Sequence, residues 1–325
     1  MSASPRRRAT QGLVTALALA ACIAGAAFYL VPQAKEFLAD RPRIEPSAFV
    51  LAAASYGLFG WASSRQMRAC LMALGATTRR PYAVFALATL GKYLPTKAMV
   101  PVVRARLTAP EGVSTTVVVA ALGLEFVIGA VVGIWFGLTL TAHSLLGLGR
   151  AVAVAIGASG PITLAFAGHP RVIQGLRKLV EMALARVPGA QRVLPAFEPR
   201  HAVRAAAWAA LAWVAGCASL VLCFRALGGG HGAELAIAGS FALASMAGYA
   251  AFVMPAGIGV REAGLLGLLG PLLGAPIVSA AVLAHRVLGT ATELVAGGIA
   301  AVWLAYRGSK RTVDASGPTS GPSSR

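Results

Sequence analysis

Long apolar runs separated by charged loops constrain this chain more than any other feature of its sequence. A helix needs about 20 residues to cross the hydrocarbon core of a bilayer. Backbone groups must be satisfied inside lipid, and the period-two alternation of a membrane barrel is absent, so the runs predict helices. We expect an all-α, polytopic membrane helical bundle. The apolar runs lie near residues 11–31, 47–64, 113–140, 150–168, 205–226, 234–254 and 277–306.

The composition excludes an ordinary soluble domain. Only 12% of the residues are charged, whereas nine apolar residue types make up 57% of the chain. So few charges cannot cover the surface of a soluble globule. The net charge is +18, from 29 basic and 11 acidic side chains. Nucleic acid is not the expected partner, because the basic loops lack interleaved aromatic residues. Anionic lipid head groups are the expected counter-charge.

The placement of Lys and Arg predicts the topology, since basic loops stay on the cytoplasmic side. We expect about eight crossings in the cell membrane, with both termini cytoplasmic. This count requires that 82–109 is re-entrant from the cytoplasm and that 255–274 crosses as a broken helix. The expected cytoplasmic segments are 1–10, 65–80, 169–204 and the tail after Tyr306, and the expected outer loops are 32–46, 141–150 and 227–233.

The basic segment 169–204 divides the chain into two halves. We expect a transmembrane domain over 11–307, formed by halves 11–168 and 205–307. Within the connector, 171–187 has the helical spacing of an interfacial amphipathic helix, although a plain solvated connector fits as well. The N-terminal segment 1–10 is expected to be cytoplasmic, and the Gly- and Ser-rich tail 308–325 is expected to be disordered.

Each half contains one apolar segment interrupted by glycine and proline. Proline removes a backbone donor, and glycine permits bends. Paired interruptions of this kind in corresponding halves indicate the binding site of a transporter. A kinked structural helix is the alternative interpretation of either break. The motif residues are Gly91, Tyr93 and Pro95 in the first half and Pro255, Gly257 and Gly259 in the second.

Charged residues lie inside or beside the predicted spans, where an ionised group costs about 2.5–3.5 kcal/mol. Such groups face a cavity or each other, so they are candidates for substrate binding. Arg286, Thr290 and Glu293 share one helical face because they are four and three residues apart. Structural ion pairs, Arg286 with Glu262 or Glu293 with Arg261, are the alternative. The remaining candidates are Glu125 in the 113–140 span and Lys92 beside the first break.

The sequence is consistent with two roles for Lys92. Together with Lys97, Arg104 and Arg106 it flanks the first break, where basic side chains could form a phosphate cradle at the cytoplasmic leaflet. The same residues also fit ordinary positive charge on the cytoplasmic side. The sequence leaves both possibilities open.

At these residues the chain resembles the lysylphosphatidylglycerol synthase transmembrane-region family, a flippase-like membrane domain. The matching stretches are GKYLPTKAMVPVVRARL from Gly91, PAGIGVREAGLLGLL from Pro255 and AHRVLGTATE from Ala284. The resemblance covers roughly 11–307. Ala256 and Thr96 stand where the family usually has glycine, which leaves every charged position of the motifs in place.

The resemblance implies a lipid-handling membrane domain. Its best-known members move aminoacylated phosphatidylglycerol between leaflets, and others accompany polyprenyl-linked sugar or hopanoid pathways. Full-length synthases of the family also carry a cytoplasmic domain that uses aminoacyl-tRNA, and we expect this chain to lack it. We therefore expect that this chain does not itself synthesise lysylphosphatidylglycerol.

The expected function is translocation of an anionic or aminoacylated phospholipid, or of a polyprenyl-phosphate-linked lipid. Arg261 and Arg286 would hold the lipid phosphate, while the intramembrane carboxylates balance charge or bind a cationic head group. We expect no cofactor and no metal, since the sequence has no Walker A run and its histidines fall singly. The alternatives are a non-transporting partner of a lipid synthase or glycosyltransferase, and a membrane-embedded lipid-phosphate transferase.

Overall fold

The computed structural model describes residues 44–93, 99–144, 197–250 and 259–315, together with a few isolated positions. This part of the chain forms helices and no strand, so the predicted all-α helical bundle is confirmed. Two single 3-10 turns lie at Gly91–Tyr93 and Ala109–Glu111. The α-helices are α1 (Pro46–Ala73), α2 (Pro81–Leu90), α3 (Met99–Thr108), α4 (Thr115–Ser144), α5 (Pro199–Ala226), α6 (Glu234–Ala250), α7 (Val260–Leu273) and α8 (Ala275–Ala315).

Three stretches within the described helices are long and apolar enough to cross a membrane: Thr115–Thr141, Pro199–Ala226 and Ala275–Tyr306. They correspond to predicted spans in α4, α5 and α8. The predicted spans 11–31 and 150–168 and the possible interfacial helix 171–187 lie outside the described ranges. Helix α8 continues through residues 308–315, which we expected to be disordered. Lysine and arginine are good helix formers, and no proline interrupts this segment before Pro318.

Helices α1 and α5 form an antiparallel pair at the centre of the bundle. The backbone N–H of Glu45, which precedes α1, donates to the carbonyl of Ala226 at the end of α5 (2.9 Å). In return, the N–H of Glu198, which precedes α5, donates to the carbonyl of Ala73 at the end of α1 (2.8 Å). Each helix has proline at its first turn, where the missing N–H costs nothing. Each helix therefore begins where the other ends.

The two halves repeat one arrangement in opposite orientations. In each half a 28-residue helix is followed by a shorter helix, a break, a second short helix and a long helix. The halves also interleave, because α2 packs on α8 of the other half and α6 packs on α4. Since α1 and α5 are antiparallel, the arrangement is that of an inverted-topology repeat.

The first interrupted segment is two short helices joined by a turn. Helices α2 and α3 have ten residues each and rise about 15 Å, half of the roughly 30 Å hydrocarbon core. The chain folds back between them: a Cβ on Gly91 would lie 3.2 Å from the backbone of Met99 and Val100 at the start of α3. The predicted break within 82–109 is confirmed. Pro95 lies outside the described residues.

The second interruption separates α6 from α7. Helix α7 begins after Gly259 (φ +88°) and ends at Gly274 (φ +87°), two backbone conformations that favour glycine. Its 14 residues rise about 21 Å, less than one crossing, before the chain turns into α8, on which α7 packs. The predicted break is confirmed, whereas Pro255 and Gly257 lie outside the described residues. The number of crossings stays a prediction.

The close contact between α4 and α6 depends on a glycine in α6. A Cβ on Gly239 of α6 would lie 2.6 Å from the Thr141 Cγ2 atom and 2.9 Å from its backbone nitrogen. Small residues at such crossings let membrane helices approach closely. The two halves therefore pack here without space for a methyl group.

We expect Gly239→Ala to destabilise the bundle by about 1–3 kcal/mol, because the α4 backbone would have to move. The matched control is Gly267→Ala on the exposed face of α7, where no atom lies within 4 Å of the added Cβ. This control should be neutral or stabilising by about 0.5–1 kcal/mol. Thermal unfolding of both variants in detergent checks the prediction. Equal unfolding midpoints would contradict it.

The antiparallel pairing also predicts a labelling pattern. It places the loop after α1 and the loop after α5 at opposite ends of the bundle, with Arg79 and His231 exposed in them. In intact cells, His231→Cys should react with a membrane-impermeant thiol reagent and Arg79→Cys should not. Cys70, Cys217 and Cys223 are buried, and both variants are made in a Cys22→Ala background, which alone serves as the blank. Labelling of both positions from one side would overturn the orientation.

Candidate functional site

The carboxylate of Glu293 on α8 accepts hydrogen bonds from three side chains. The Oε1 atom of Glu293 accepts hydrogen bonds from Lys92 Nζ (2.6 Å) and from the hydroxyl of Tyr56 on α1 (2.8 Å). Its Oε2 atom accepts from the hydroxyl of Tyr93 (2.7 Å), which also lies 3.4 Å from Thr290 Oγ1. Lys92 and Tyr93 belong to the turn after α2. Glu293 therefore ties α8 to the first break and to the central helix α1.

A second carboxylate fixes the start of α7. The Oε2 atom of Glu262 accepts the backbone N–H of Gly259 (2.8 Å), which satisfies a free donor at the helix N-terminus. Its Oε1 atom accepts from Arg286 Nε on α8 (2.8 Å) and lies 3.4 Å from Arg261 Nε. Glu262 is buried, and its charge faces the positive end of the helix dipole. Glu262 therefore stabilises the backbone at the second break and orients Arg286.

These residues form one cluster with a surplus of positive charge. Tyr56, which donates to Glu293, and Phe241, which Arg261 contacts, both pack against the His285 ring, with ring centres 5.6 Å and 5.4 Å away, so the two networks adjoin. The described cluster contains three cations and two carboxylates and carries a net charge of +1. The Glu262 and Glu293 side chains expose only 5% and 11% of their surface, whereas the Arg286 and Lys92 side chains expose 24% and 28%. The open edge of the cluster is therefore cationic.

Two guanidinium groups of this cluster have unused donors. The Nε atom of Arg261 and the Nη2 atom of Arg286 are buried and have no hydrogen-bond partner within the described part of the chain. The guanidinium carbon of Arg261 lies 5.8 Å from the centre of the Phe241 ring, a cation–π contact. Buried donors without an acceptor are costly, and an oxygen-rich anion would satisfy them.

Glu125 belongs to a different ion pair. Arg104 of α3 binds it in a bidentate manner, with Nη1 2.7 Å from Oε2 and Nη2 3.2 Å from Oε1. The Arg104 side chain is only 6% exposed, and its guanidinium carbon lies 5.7 Å from the centre of the Phe85 ring. The backbone carbonyl of Glu125 accepts from Gln66 Nε2 (3.0 Å). This pair joins α3 to α4 and balances its own charge, while the buried Arg104 Nε atom has no hydrogen-bond partner among the described residues.

The structure brings together most of the predicted site residues. Of the two predicted ion pairs, Arg286–Glu262 is present, whereas Glu293 binds Lys92 in place of Arg261. Thr290 and Glu293 face the same side of α8, as their spacing indicated, because both contact Tyr93. Gly91 and Gly259 flank the breaks at the cluster. Glu125 is the candidate that the described contacts leave in a separate pair.

Two participants were not among the predicted site residues. Tyr56 donates to Glu293, but a tyrosine in an apolar run has no spacing that marks it as functional. Arg104 was visible as a flanking charge near the first break, and its partner on the next helix was not. The sequence signal for Arg104 was its position shortly after the first break; its burial is known only from the structure.

The fold and the site define a helical membrane protein with a charged cluster beside two interrupted segments. The family described as "Lysylphosphatidylglycerol synthase TM region" matches residues 11–297, and the chain belongs to this family. It is therefore a membrane protein of a lipid-related family, as the motifs indicated. No curated protein matches the sequence.

The Arg104–Glu125 pair yields a stability prediction. Arg104→Met should destabilise the protein by about 3–5 kcal/mol, because it leaves a largely buried carboxylate without its partner. Adding Glu125→Leu should recover most of that loss, since both charges are then absent. Thermal unfolding of the single and double variants in detergent measures the coupling. A double variant no more stable than Arg104→Met would exclude the stranded charge as the cause.

Proposed function

We propose that this protein is a lipid translocase of the cell membrane that moves a lipid with an anionic phosphate head group between the leaflets. The observation that carries the proposal is the cationic edge of the cluster at the two breaks, where the buried Arg286 Nη2 and Arg261 Nε atoms make no hydrogen bond within the described part of the chain, Arg261 Nε lying 3.4 Å from Glu262 Oε1. In this proposal the protein is not an enzyme and uses no cofactor or metal.

Arg261 and Arg286 are proposed to hold the phosphate. Guanidinium groups present paired donors that match phosphate oxygens, and such charge-assisted bonds are the strong ones. Glu262 keeps Arg286 in position through Nε, which leaves its terminal nitrogens directed to a ligand. Arg261 makes a looser contact to Glu262 at 3.4 Å and is the freer of the two.

The hydrogen bonds of Glu293 affect which lipid head group the cluster can bind. Glu293 already accepts three hydrogen bonds, from Lys92, Tyr56 and Tyr93. A cationic group on the lipid would have to displace Lys92 to reach it. The arrangement therefore favours recognition of the phosphate over recognition of an amino group, and an aminoacylated lipid would be bound through its phosphate as well.

The inverted repeat supports movement from one leaflet to the other. Interrupted segments in inverted halves line midplane sites in many transporters, and rocking of the halves exposes the site to each side in turn. Here the cluster joins α1, α8 and the turn after α2 with the start of α7, so it draws on both halves. The lipid tails would remain in the surrounding lipid.

The test is a leaflet assay with purified protein in liposomes, using fluorescent phosphatidylglycerol and a polyprenyl-phosphate probe with a membrane-impermeant quencher. Arg261→Gln and Arg286→Gln should each slow transbilayer movement by about 10- to 100-fold, because a hydrogen bond to a charged group contributes about 1.5–3 kcal/mol. Arg200→Gln is the control, since this arginine is exposed and binds only Glu198 among its described contacts. Undiminished movement in both site variants would contradict the proposal.

A non-transporting partner of a lipid synthase or glycosyltransferase is the second candidate. The Arg286–Glu262 and Lys92–Glu293 pairs favour it, because each ties together separate helical segments and so fits a structural role. On this alternative, Arg286→Gln lowers the amount of folded protein, and well-folded wild-type protein moves no lipid. Measuring folded protein in the membrane beside lipid movement separates the two candidates.

A further inference from the structure

A groove lined by four arginines lies away from the charge cluster, at the other end of the contact between α2 and α8. It encloses about 400 Å³ between the last turns of α1, the start of α2 and the second half of α8. The groove residues of α8, Ile299 to Trp303, follow Glu293 by six to ten residues, so the groove lies about 9–15 Å along the helix from Glu293. Its lining residues are Arg65, Arg68, Arg79, Arg80, Pro81, Tyr82, Ala83, Ile299, Ala300 and Trp303.

The charge of this groove is unbalanced. Its lining, as far as the chain is described, includes no acidic residue, and Glu111 approaches only through a hydrogen bond from the backbone N–H of Arg79 (3.0 Å). The Nε atom of Arg68 is buried and has no hydrogen-bond partner in the described ranges. The ten-residue helix α2 begins at Pro81, so its positive N-terminal end also faces the groove. The four arginines and the helix end favour an anion, and the remaining lining residues are apolar or aromatic.

The surroundings of the groove are those of a membrane boundary. The Arg80 guanidinium carbon lies 5.8 Å from the centre of the Trp303 ring, and Tyr82 is also exposed in the lining. Tryptophan and tyrosine concentrate where head groups meet the hydrocarbon core. The loop that contains Arg79 and Arg80 is the one that its basic residues assign to the cytoplasmic side.

An apolar strip leads away from the groove along α8. Leu294, Val295, Ile299 and Val302 share one face of the helix and are 55–71% exposed. Ile299 belongs both to this strip and to the groove lining. A molecule whose phosphate contacts the arginines can therefore lay an acyl chain on the strip, which a free phosphate ion cannot do.

We propose that this groove binds the phosphate head group of an anionic phospholipid from the cytoplasmic leaflet, with one acyl chain along α8. In this proposal Arg79 and Arg80 bind the head group from the loop, and Arg65 and Arg68 bind it from α1. The site is distinct from the charge cluster and does not depend on lipid translocation. It gives the protein a preference for anionic lipid at its cytoplasmic end.

The experiment is native mass spectrometry of the detergent-solubilised protein titrated with phosphatidylglycerol, phosphatidylcholine, or inorganic phosphate. Phosphatidylglycerol should be retained in preference to phosphatidylcholine, and Arg79→Gln/Arg80→Gln should weaken this binding about 25-fold. Each arginine at an anionic lipid surface contributes about fivefold to affinity. Inorganic phosphate should bind at least an order of magnitude more weakly, because it lacks the acyl contact.

Matched variants make the result decisive. Arg200→Gln/Arg204→Gln removes two exposed arginines from the first turns of α5 and should bind phosphatidylglycerol like the wild type. Arg286→Gln removes a proposed phosphate contact at the charge cluster, so phosphatidylglycerol that this variant retains, and that Arg79→Gln/Arg80→Gln in the same background loses, is bound at the groove. If the double groove variant does not fold, Arg79→Gln alone replaces it, with an expected loss of about fivefold.

Three outcomes would overturn the proposal. They are equal retention of the two phospholipids, equal losses in the groove variant and its α5 control, and phosphate binding as tight as phosphatidylglycerol binding. The last outcome would identify a soluble anion as the occupant.

Discussion

The antiparallel contact between α1 and α5 is the interaction on which the rest of the structure depends. Its two reciprocal backbone hydrogen bonds fix both ends of both helices, since each helix supplies the acceptor for the donor that precedes the other. Once this pair is in place, the following short helices must leave from opposite ends of the bundle. Each then packs on the long helix of the other half, which brings the two interruptions into one interior region.

In each half an ion pair joins the second short helix to the long helix, and the basic and acidic partners are exchanged between the halves. In the first half, Arg104 on the second short helix binds Glu125 on the long helix that follows. In the second half, Glu262 on the second short helix binds Arg286 on the long helix. The first pair is bidentate and balances its own charge, although the buried Arg104 Nε atom has no partner in the described ranges. The second pair has Arg261 beside it and so carries a surplus positive charge, and this difference in charge separates a contact that joins helices from one that can also bind an anion.

Local patterns were sufficient for the features that depend on neighbours in the chain. Glycine and proline showed where the apolar segments break, and the spacing of Arg286, Thr290 and Glu293 placed them on one face. The partners of these residues could not be predicted, because Lys92 and Glu293 are 201 residues apart and meet only through the packing of α2 on α8. Composition likewise could not show that Glu125 would be neutralised by an arginine across a turn.

The groove and the inverted repeat could not be predicted from the sequence, because both depend on how distant helices pack. Positive residues after α1 indicated a cytoplasmic loop, but whether they converge on a cavity depends on where α8 passes. The inversion itself is not visible as a repeated motif, because the corresponding charges have opposite signs and the helices have different lengths. Only the pairing of helix ends makes the relation between the halves apparent.

The unbroken length of α8 has a mechanical consequence. Its 41 residues extend about 60 Å, well beyond the 40–45 Å or so of a whole bilayer with its head groups. The helix that carries Arg286 and Glu293 therefore protrudes from the membrane as a stiff rod. Because a straight helix moves as one body, any tilt of the segment around Arg286 and Glu293 is largest at the protruding end.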